Sequence, residues 1–159
     1  MNKDALLQQI IMQLEADHAC LLTAARSAHA AAIHEESVPE NKYDTHGLEA
    51  SYIAQGQANR ARQIALAATA FRRLRPQTFL PGTPIGLAAL VELESATANR
   101  RLVFLGPAAG GFLLHYEQRK ITVITPASPL GRALLGKRVG DLVERDETAQ
   151  EDCAIIAVW

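Results

Sequence analysis

Residues 3–32 of the chain read KDALLQQIIMQLEADHACLLTAARSAHAAA. Mostly apolar side chains recur along this segment at alternating steps of four and three residues, which is the seam spacing of a coiled coil. The spacing predicts one long helix whose apolar stripe needs a partner helix, and we interpret the histidine on the seam as a core or register-setting residue. The seam positions are Leu7, Ile11, Leu14, His18, Leu21, Ala25, Ala28 and Ala32.

A second seam follows in residues 47–71, GLEASYIAQGQANRARQIALAATAF, with Gly47, Ala50, Ala54, Gln57, Ala61, Ile64, Ala68 and Phe71. If the two segments fold antiparallel about residues 39 and 40, all the seam positions come into register. Leu7 then meets Phe71, and Leu14 meets Ile64. We therefore predict one antiparallel hairpin over residues 4–75 with its turn near residues 37–42.

The composition changes abruptly near Arg75 and Pro76. The chain has one proline and two glycines before this point, and six prolines and eight glycines after it. Proline disfavours a helical conformation in the residue before it, so the second helix should end here. The predicted domains are a coiled-coil hairpin over residues 1–75 and a globular domain over residues 76–159.

The second half predicts a small, mostly antiparallel sheet with one short helix, which makes the class α+β. Ser128 is a candidate N-cap, with Pro129 at the first helical position of a helix over Pro129–Leu135 and Gly136 just past its end. The candidate strands are Ile85–Leu93, Arg101–Leu105, Leu113–Tyr116, Lys120–Ile124, Leu142–Glu144 and Ala154–Val158.

Charge, hydropathy and motif spacing exclude several function classes. The formal net charge of -1 lacks the basic excess of a nonspecific nucleic-acid binder, and no apolar run approaches the roughly 20 residues of a membrane span. Cys20 and Cys153 are far apart, which favours reduced thiols in the cytoplasm. Gly131–Lys137 matches half of a phosphate loop, but Arg138 follows where Mg²⁺ would require a Ser or Thr hydroxyl.

The 14-residue run from Ser128 to Asp141, SPLGRALLGKRVGD, resembles the C-terminal signature of the bacterial Gre transcript-cleavage factors, GreA and GreB. Glu40-Asn41, followed by Tyr43, resembles the acidic tip motif of the same family. The resemblance implies an N-terminal antiparallel coiled coil joined to an FKBP-like sheet domain, which agrees with the hairpin and sheet expected from the residues.

The resemblance also implies a function and a set of site residues. Gre factors bind bacterial RNA polymerase through the globular domain and insert the coiled coil into its secondary channel, where tip carboxylates help hold a second Mg²⁺ for RNA cleavage. For this chain it implies Glu40 at the tip, assisted by Asp44 and Glu36, with Glu40 as a ligand of a Mg²⁺ shared with the polymerase. It implies docking through Ser128, Pro129, Gly131, Arg132, Leu134, Gly136 and Lys137.

No tightly bound cofactor, no membrane contact and no catalytic activity of its own are expected, and nucleic acid would be reached only through the polymerase. Ser37 stands where the first tip aspartate of the family is expected, which predicts weak cleavage stimulation. Two alternatives share the channel: an inhibitor that competes with Gre factors, and a protein like the regulator of nucleoside diphosphate kinase. Two others do not: an FKBP-like isomerase or chaperone module, and a dimerising coiled-coil adaptor.

Overall fold

The computed structural model describes residues 2–33, 46–80, 82–144 and 152–159. The described chain confirms the α+β class, with a long N-terminal helical hairpin followed by a six-stranded sheet and one short helix. In chain order the elements are α1 (Lys3–Ile33), α2 (His46–Arg73), β1 (Leu90–Ser95), β2 (Arg100–Leu105), β3 (Leu113–Tyr116), β4 (Arg119–Ile124), α3 (Pro129–Leu134), β5 (Leu142–Val143) and β6 (Cys153–Val158).

The chain divides into two compact units. The hairpin unit comprises Ile11–Thr69, and the sheet unit comprises Met1–Ile10 together with Ala70–Trp159. The start of α1 and the end of α2 therefore belong to the fold of the sheet unit. The domain division between residues 75 and 76, which was expected from composition along the chain, stays a prediction.

Burial along the hairpin unit follows the predicted seams. Between residues 51 and 60, Ala54 and Gln57 are half-buried and the other residues are exposed. Both half-buried residues are seam positions. A groove of about 510 Å³ is lined by residues of both helices, including the seam residues Ala25 and Ala54 that antiparallel folding aligns. His18 is half-buried. The predicted turn near residues 37–42 lies outside the described residues.

The bases of both long helices pack within the sheet unit. Leu6 and Ile10 are fully buried, one helical turn apart on one face of α1. The ring of Phe71 from α2 lies 6.3 Å from the ring of Phe104 on β2. Gln9 Nε2 donates a hydrogen bond of 2.7 Å to the carbonyl oxygen of His115 on β3. These contacts join the helix bases to the sheet through both apolar and polar groups.

The strands of the sheet are ordered β3-β4-β2-β1-β6-β5. Four neighbouring pairs are antiparallel, as predicted, and β2 pairs with β4 in parallel. The parallel pair arises because β3 lies at the sheet edge, and the chain returns from it through a two-residue turn at Glu117 and Gln118. Both turn residues have positive φ, as a tight hairpin of this kind requires.

The first strand is shorter at its start than the predicted Ile85–Leu93. It begins at Leu90, because Ala88 has a φ of 68° and interrupts the extended backbone. Ile85 instead exchanges backbone hydrogen bonds with the segment after α3, donating 2.7 Å to Lys137 O and accepting 2.9 Å from Gly136 N. This exchange ties the loop before β1 to the end of α3.

An apolar cluster in the described part of the sheet unit includes α3. The strands β1, β2 and β6 contribute alternate side chains to it. One residue each comes from β4, β5 and α3. Its buried members are Phe79, Ile85, Ala89, Val91, Leu93, Val103, Leu105, Ile124, Leu134, Val143, Cys153 and Ile155. Among the described helices, none is long and apolar enough to cross a bilayer.

Candidate functional site

The predicted docking segment begins at a capped helix. Ser128 has extended backbone angles, and its Oγ accepts a hydrogen bond of 3.1 Å from Gly131 N, as expected of an N-cap. The same hydroxyl donates 2.8 Å to the carbonyl oxygen of Thr125. Pro129 occupies the first turn, where its missing N–H costs nothing. Ser128 and Pro129 therefore start α3 at a defined residue.

Gly131 lets α3 lie directly on the preceding loop. A β-carbon at this position would stand 1.9 Å from the carbonyl oxygen of Thr125, a backbone atom that cannot rotate away. Gly136 has a φ of 79°, a conformation that glycine adopts without strain. Gly131 and Gly136 therefore each have a structural cause within the described residues.

Leu134 and Lys137 anchor the end of α3. Leu134 is fully buried in the apolar cluster of the sheet unit. Lys137 N donates 3.1 Å to Leu134 O, and Lys137 O accepts the hydrogen bond from Ile85 N. These two residues position the segment through the core and the backbone, so Leu134 cannot reach a partner in the folded unit.

The side chains available to a partner are the exposed ones between residues 129 and 142. Pro129 and Arg132, both predicted, are exposed, and the guanidinium of Arg132 donates to the carbonyl oxygen of Ala127. Three further apolar residues are exposed, and composition alone did not single them out: Leu135 at 41%, Val139 at 47% and Leu142 at 62%. We call Pro129, Arg132, Leu135, Val139 and Leu142 the α3 surface.

The turn after α3 is held by local hydrogen bonds. Asp141 Oδ2 accepts 2.7 Å from Arg138 N, and Arg138 Nε donates 2.8 Å to the carbonyl oxygen of Gly82. Gly140 N donates 2.8 Å to Ile155 O on β6. Val139 is thus exposed on a turn whose backbone is fixed on both sides. A signal for this turn was present in the sequence as Gly140-Asp141 after two basic residues.

The predicted tip residues Glu36, Glu40 and Asp44 lie outside the described residues, and so does the predicted metal ligand Glu40. Over residues 2–33, 46–80, 82–144 and 152–159, no three His, Cys, Asp or Glu side chains are grouped to hold a metal ion. The roles assigned to the tip and to the docking residues stay predictions.

Similarity to known proteins agrees with the family that the sequence resembles. No protein-family model matches the chain. A 66-residue stretch is 42% identical to the transcription inhibitor protein Gfh1 of Thermus aquaticus, covering 41% of this chain and 40% of that protein's length.

Two solved structures were also matched along the chain. Gfh1 of Thermus thermophilus, described as GreA factor homolog 1, has 23% identity and a TM-score of 0.38 over 96% of this chain and 94% of its own. The elongation factor GreA/GreB of Nitrosomonas europaea has 19% identity and a TM-score of 0.37 over 60% of this chain and 78% of its own. The 66-residue sequence match to Gfh1 therefore agrees with the resemblance of this chain to the Gre factors.

Proposed function

We propose that this chain regulates transcription in the cytoplasm by binding bacterial RNA polymerase and placing the tip of its helical hairpin in the secondary channel. The observation that carries the proposal is the 42% identity over 66 residues to a protein named a transcription inhibitor. The described fold supports it, because a long helical hairpin accompanies a separate sheet unit. The hairpin supplies reach, and the sheet unit supplies a surface for docking.

Inhibition is the outcome that the tip sequence favours. Two-metal cleavage needs carboxylates to keep the second ion bound and to lower the barrier for attack by water. Ser37 stands where the first tip aspartate of the Gre motif is expected, and its hydroxyl carries no charge. A hairpin with this tip occupies the channel but retains Mg²⁺ weakly. It therefore excludes true Gre factors without replacing their activity.

Docking is assigned to the α3 surface. Arg132 provides a cation, and Leu135, Val139 and Leu142 provide exposed apolar area on a segment whose backbone is fixed by the core and by hydrogen bonds. Arginine is enriched at protein interfaces, and the exposed apolar area beside Arg132 can be buried by a partner. The buried members of the same run, Gly131 and Leu134, act by shaping this surface.

A binding measurement with the full chain tests the docking assignment. Leu135→Asp places a charge on the α3 surface, so we expect the affinity for RNA polymerase to fall by about tenfold or more. Leu113→Asp is the matched control, since Leu113 is a similarly exposed leucine, at 50%, on the opposite sheet edge. Equal losses in the two variants, or none in Leu135→Asp, would contradict docking through this surface.

A further inference from the structure

Three cationic side chains lie on α3 and on the turn after it: Arg132, Lys137 and Arg138. The guanidinium of Arg132 donates to the carbonyl oxygen of Ala127. Arg138 Nε donates 2.8 Å to the carbonyl oxygen of Gly82. A carbonyl oxygen orients a guanidinium but carries no net negative charge. These contacts therefore hold two of the three cations in position without neutralising them.

The three cations have no carboxylate partner in the part of the chain that the structure describes. Ion pairs are formed by other arginines of the sheet, Arg100 with Glu94 at 2.7 Å and Arg119 with Glu92. Asp141 is the one acidic residue between residues 129 and 143. Its carboxylate accepts a hydrogen bond from the backbone N–H of Arg138 and not from a guanidinium. The positive charge of this segment is thus available to a partner.

The neighbouring stretches add no charge of either sign. Residues 76–91, 121–131 and 153–158 contain no charged side chain, and each of these stretches is hydrogen-bonded to the segment. Acidic residues follow only after β5 and before β6, at Glu144 and Asp152. The segment consequently has a local excess of positive charge in a chain whose formal net charge is -1.

We propose that the polymerase surface bound by the α3 surface is acidic, with carboxylates that pair with the three cations around an apolar contact at Leu135 and Val139. The inference rests on the proposed function and adds the chemistry of the partner. Leu135 follows Arg132 by three positions, about one helical turn, and Val139 is next to Arg138. Each exposed apolar residue therefore has a cation beside it.

Preorientation of the two guanidinium groups favours this kind of partner. A guanidinium binds a carboxylate through two parallel hydrogen bonds, which requires a defined orientation of its plane. Because backbone carbonyls already orient Arg132 and Arg138, less side-chain freedom is lost when a carboxylate binds. Attraction between exposed opposite charges acts mainly on the association rate, and salt screens it beyond about 10 Å at 0.1 M.

The test measures the association rate of the full chain with RNA polymerase between about 0.05 M and 0.5 M salt. At low salt Arg132→Glu and Lys137→Glu should each lower this rate by about fivefold or more and weaken its salt dependence. Lys120→Glu is the matched control, because it makes the same change of charge at an exposed residue near the start of β4, the end of that strand remote from α3. The control should change the rate by less than about twofold. Equal effects in all three variants, or a wild-type rate independent of salt, would overturn the inference.

Two variants at one position separate charge from polarity. Leu135→Asp and Leu135→Asn introduce side chains of nearly equal size that differ by one negative charge. Against an acidic partner, Leu135→Asp should bind about fivefold or more weakly than Leu135→Asn at low salt, and the difference should shrink at high salt. Equal weakening by both variants contradicts an acidic partner but supports docking through the α3 surface. Absence of polymerase binding by the wild type contradicts the proposed function and this inference together.

Discussion

Gly131 lies so close to the neighbouring backbone that its missing side chain matters as much as any contact. The carbonyl oxygen of Thr125 occupies the place of a β-carbon, and Ser128 Oγ lies 2.9 Å from the same point. Both atoms are also held in place, since the hydroxyl donates to that carbonyl. At the residue scale, the position of the α3 segment depends both on the missing side chain of Gly131 and on the hydrogen bonds of the Ser128 hydroxyl.

Gly131→Ala should lower the free energy of unfolding by about 3 kcal/mol, because the backbone of the loop or helix must move to admit the methyl group. Urea unfolding of the two proteins measures the difference. Gly86→Ala is the control, since no atom lies within 4 Å of its β-carbon position, and we expect a change within about 0.5 kcal/mol. Similar changes in the free energy of unfolding for the two variants would show that α3 can move to admit the methyl group without loss of stability.

Lys3 gives the stability a pH dependence with a defined sign. Its pKa is about 8 in the folded chain against 10.5 for an unperturbed lysine, so the unfolded chain binds more protons between these pH values. The free energy of unfolding should therefore rise with pH across this window. From about pH 10 the Tyr116 hydroxyl acts in the opposite direction, because burial, followed by the Glu117 charge, raises the pKa of Tyr116.

Chemical denaturation at about pH 7.5 and pH 9.5 measures this effect. Lys3→Gln keeps a donor for the carbonyl oxygens of Gln77 and Ala88 but does not titrate, so the rise expected for the wild type should be smaller in the variant. Parallel pH profiles for the two proteins would contradict the lowered pKa of Lys3.

At the scale of elements, α3 has one face in the core and another in solvent. Two adjacent leucines lie on these two different faces. Leu134 is fully buried, whereas Leu135 is 41% exposed. The helix holds this orientation through the Ser128 cap at its start and the backbone exchange with Ile85 after its end. Because α3 is a short helix, the hydrogen bonds at its two ends determine which of the two leucines is buried in the core.

Leu134→Asp should unfold the sheet unit, since a buried carboxylate without a partner costs about 4 kcal/mol or more. Leu135→Asp should change the free energy of unfolding by less than about 1 kcal/mol. Circular dichroism with urea titration distinguishes them, and polymerase binding by the same proteins follows. A folded Leu134→Asp protein with full polymerase affinity would count against α3 as the element that shapes the docking surface.

At the scale of the whole molecule, the proposed inhibition depends on what the hairpin tip lacks. Ser37→Asp restores a second carboxylate three residues before Glu40, and a pair at this spacing shares one side of a helical turn. We expect this variant to stimulate RNA cleavage in stalled elongation complexes more strongly than the wild type. Glu40→Ala should abolish any stimulation, because no carboxylate at the motif positions remains.

Competition with a true Gre factor completes this measurement. The wild type should reduce Gre-stimulated cleavage as its concentration rises, and Leu113→Asp should do so equally well. Robust cleavage by the wild-type chain that survives Glu40→Ala would show that other groups hold the ion. Absence of competition would instead contradict occupation of the channel.

Several features of this protein are determined by its sequence alone, because their physical causes are local. The alternating spacing places Ala54 and Gln57 on one stripe of a helix before any partner is known, and both prove to be less exposed than their neighbours. Ser128 and Pro129 start α3 at the predicted residue, because a cap acts within one turn. The resemblance to the Gre factors rests largely on the contiguous run from Ser128 to Asp141, which begins with this cap.

Other features were decided only by tertiary structure, since they depend on groups far apart in the chain. Leu6 and Ile10 are fully buried and belong to the sheet unit, although neither residue is a position of the predicted seam. The parallel pairing of β2 with β4 requires β3 to take the edge. Gln77, Phe79 and Ala88 surround the amine of Lys3, and burial by residues more than 70 positions away lowers the pKa of this lysine.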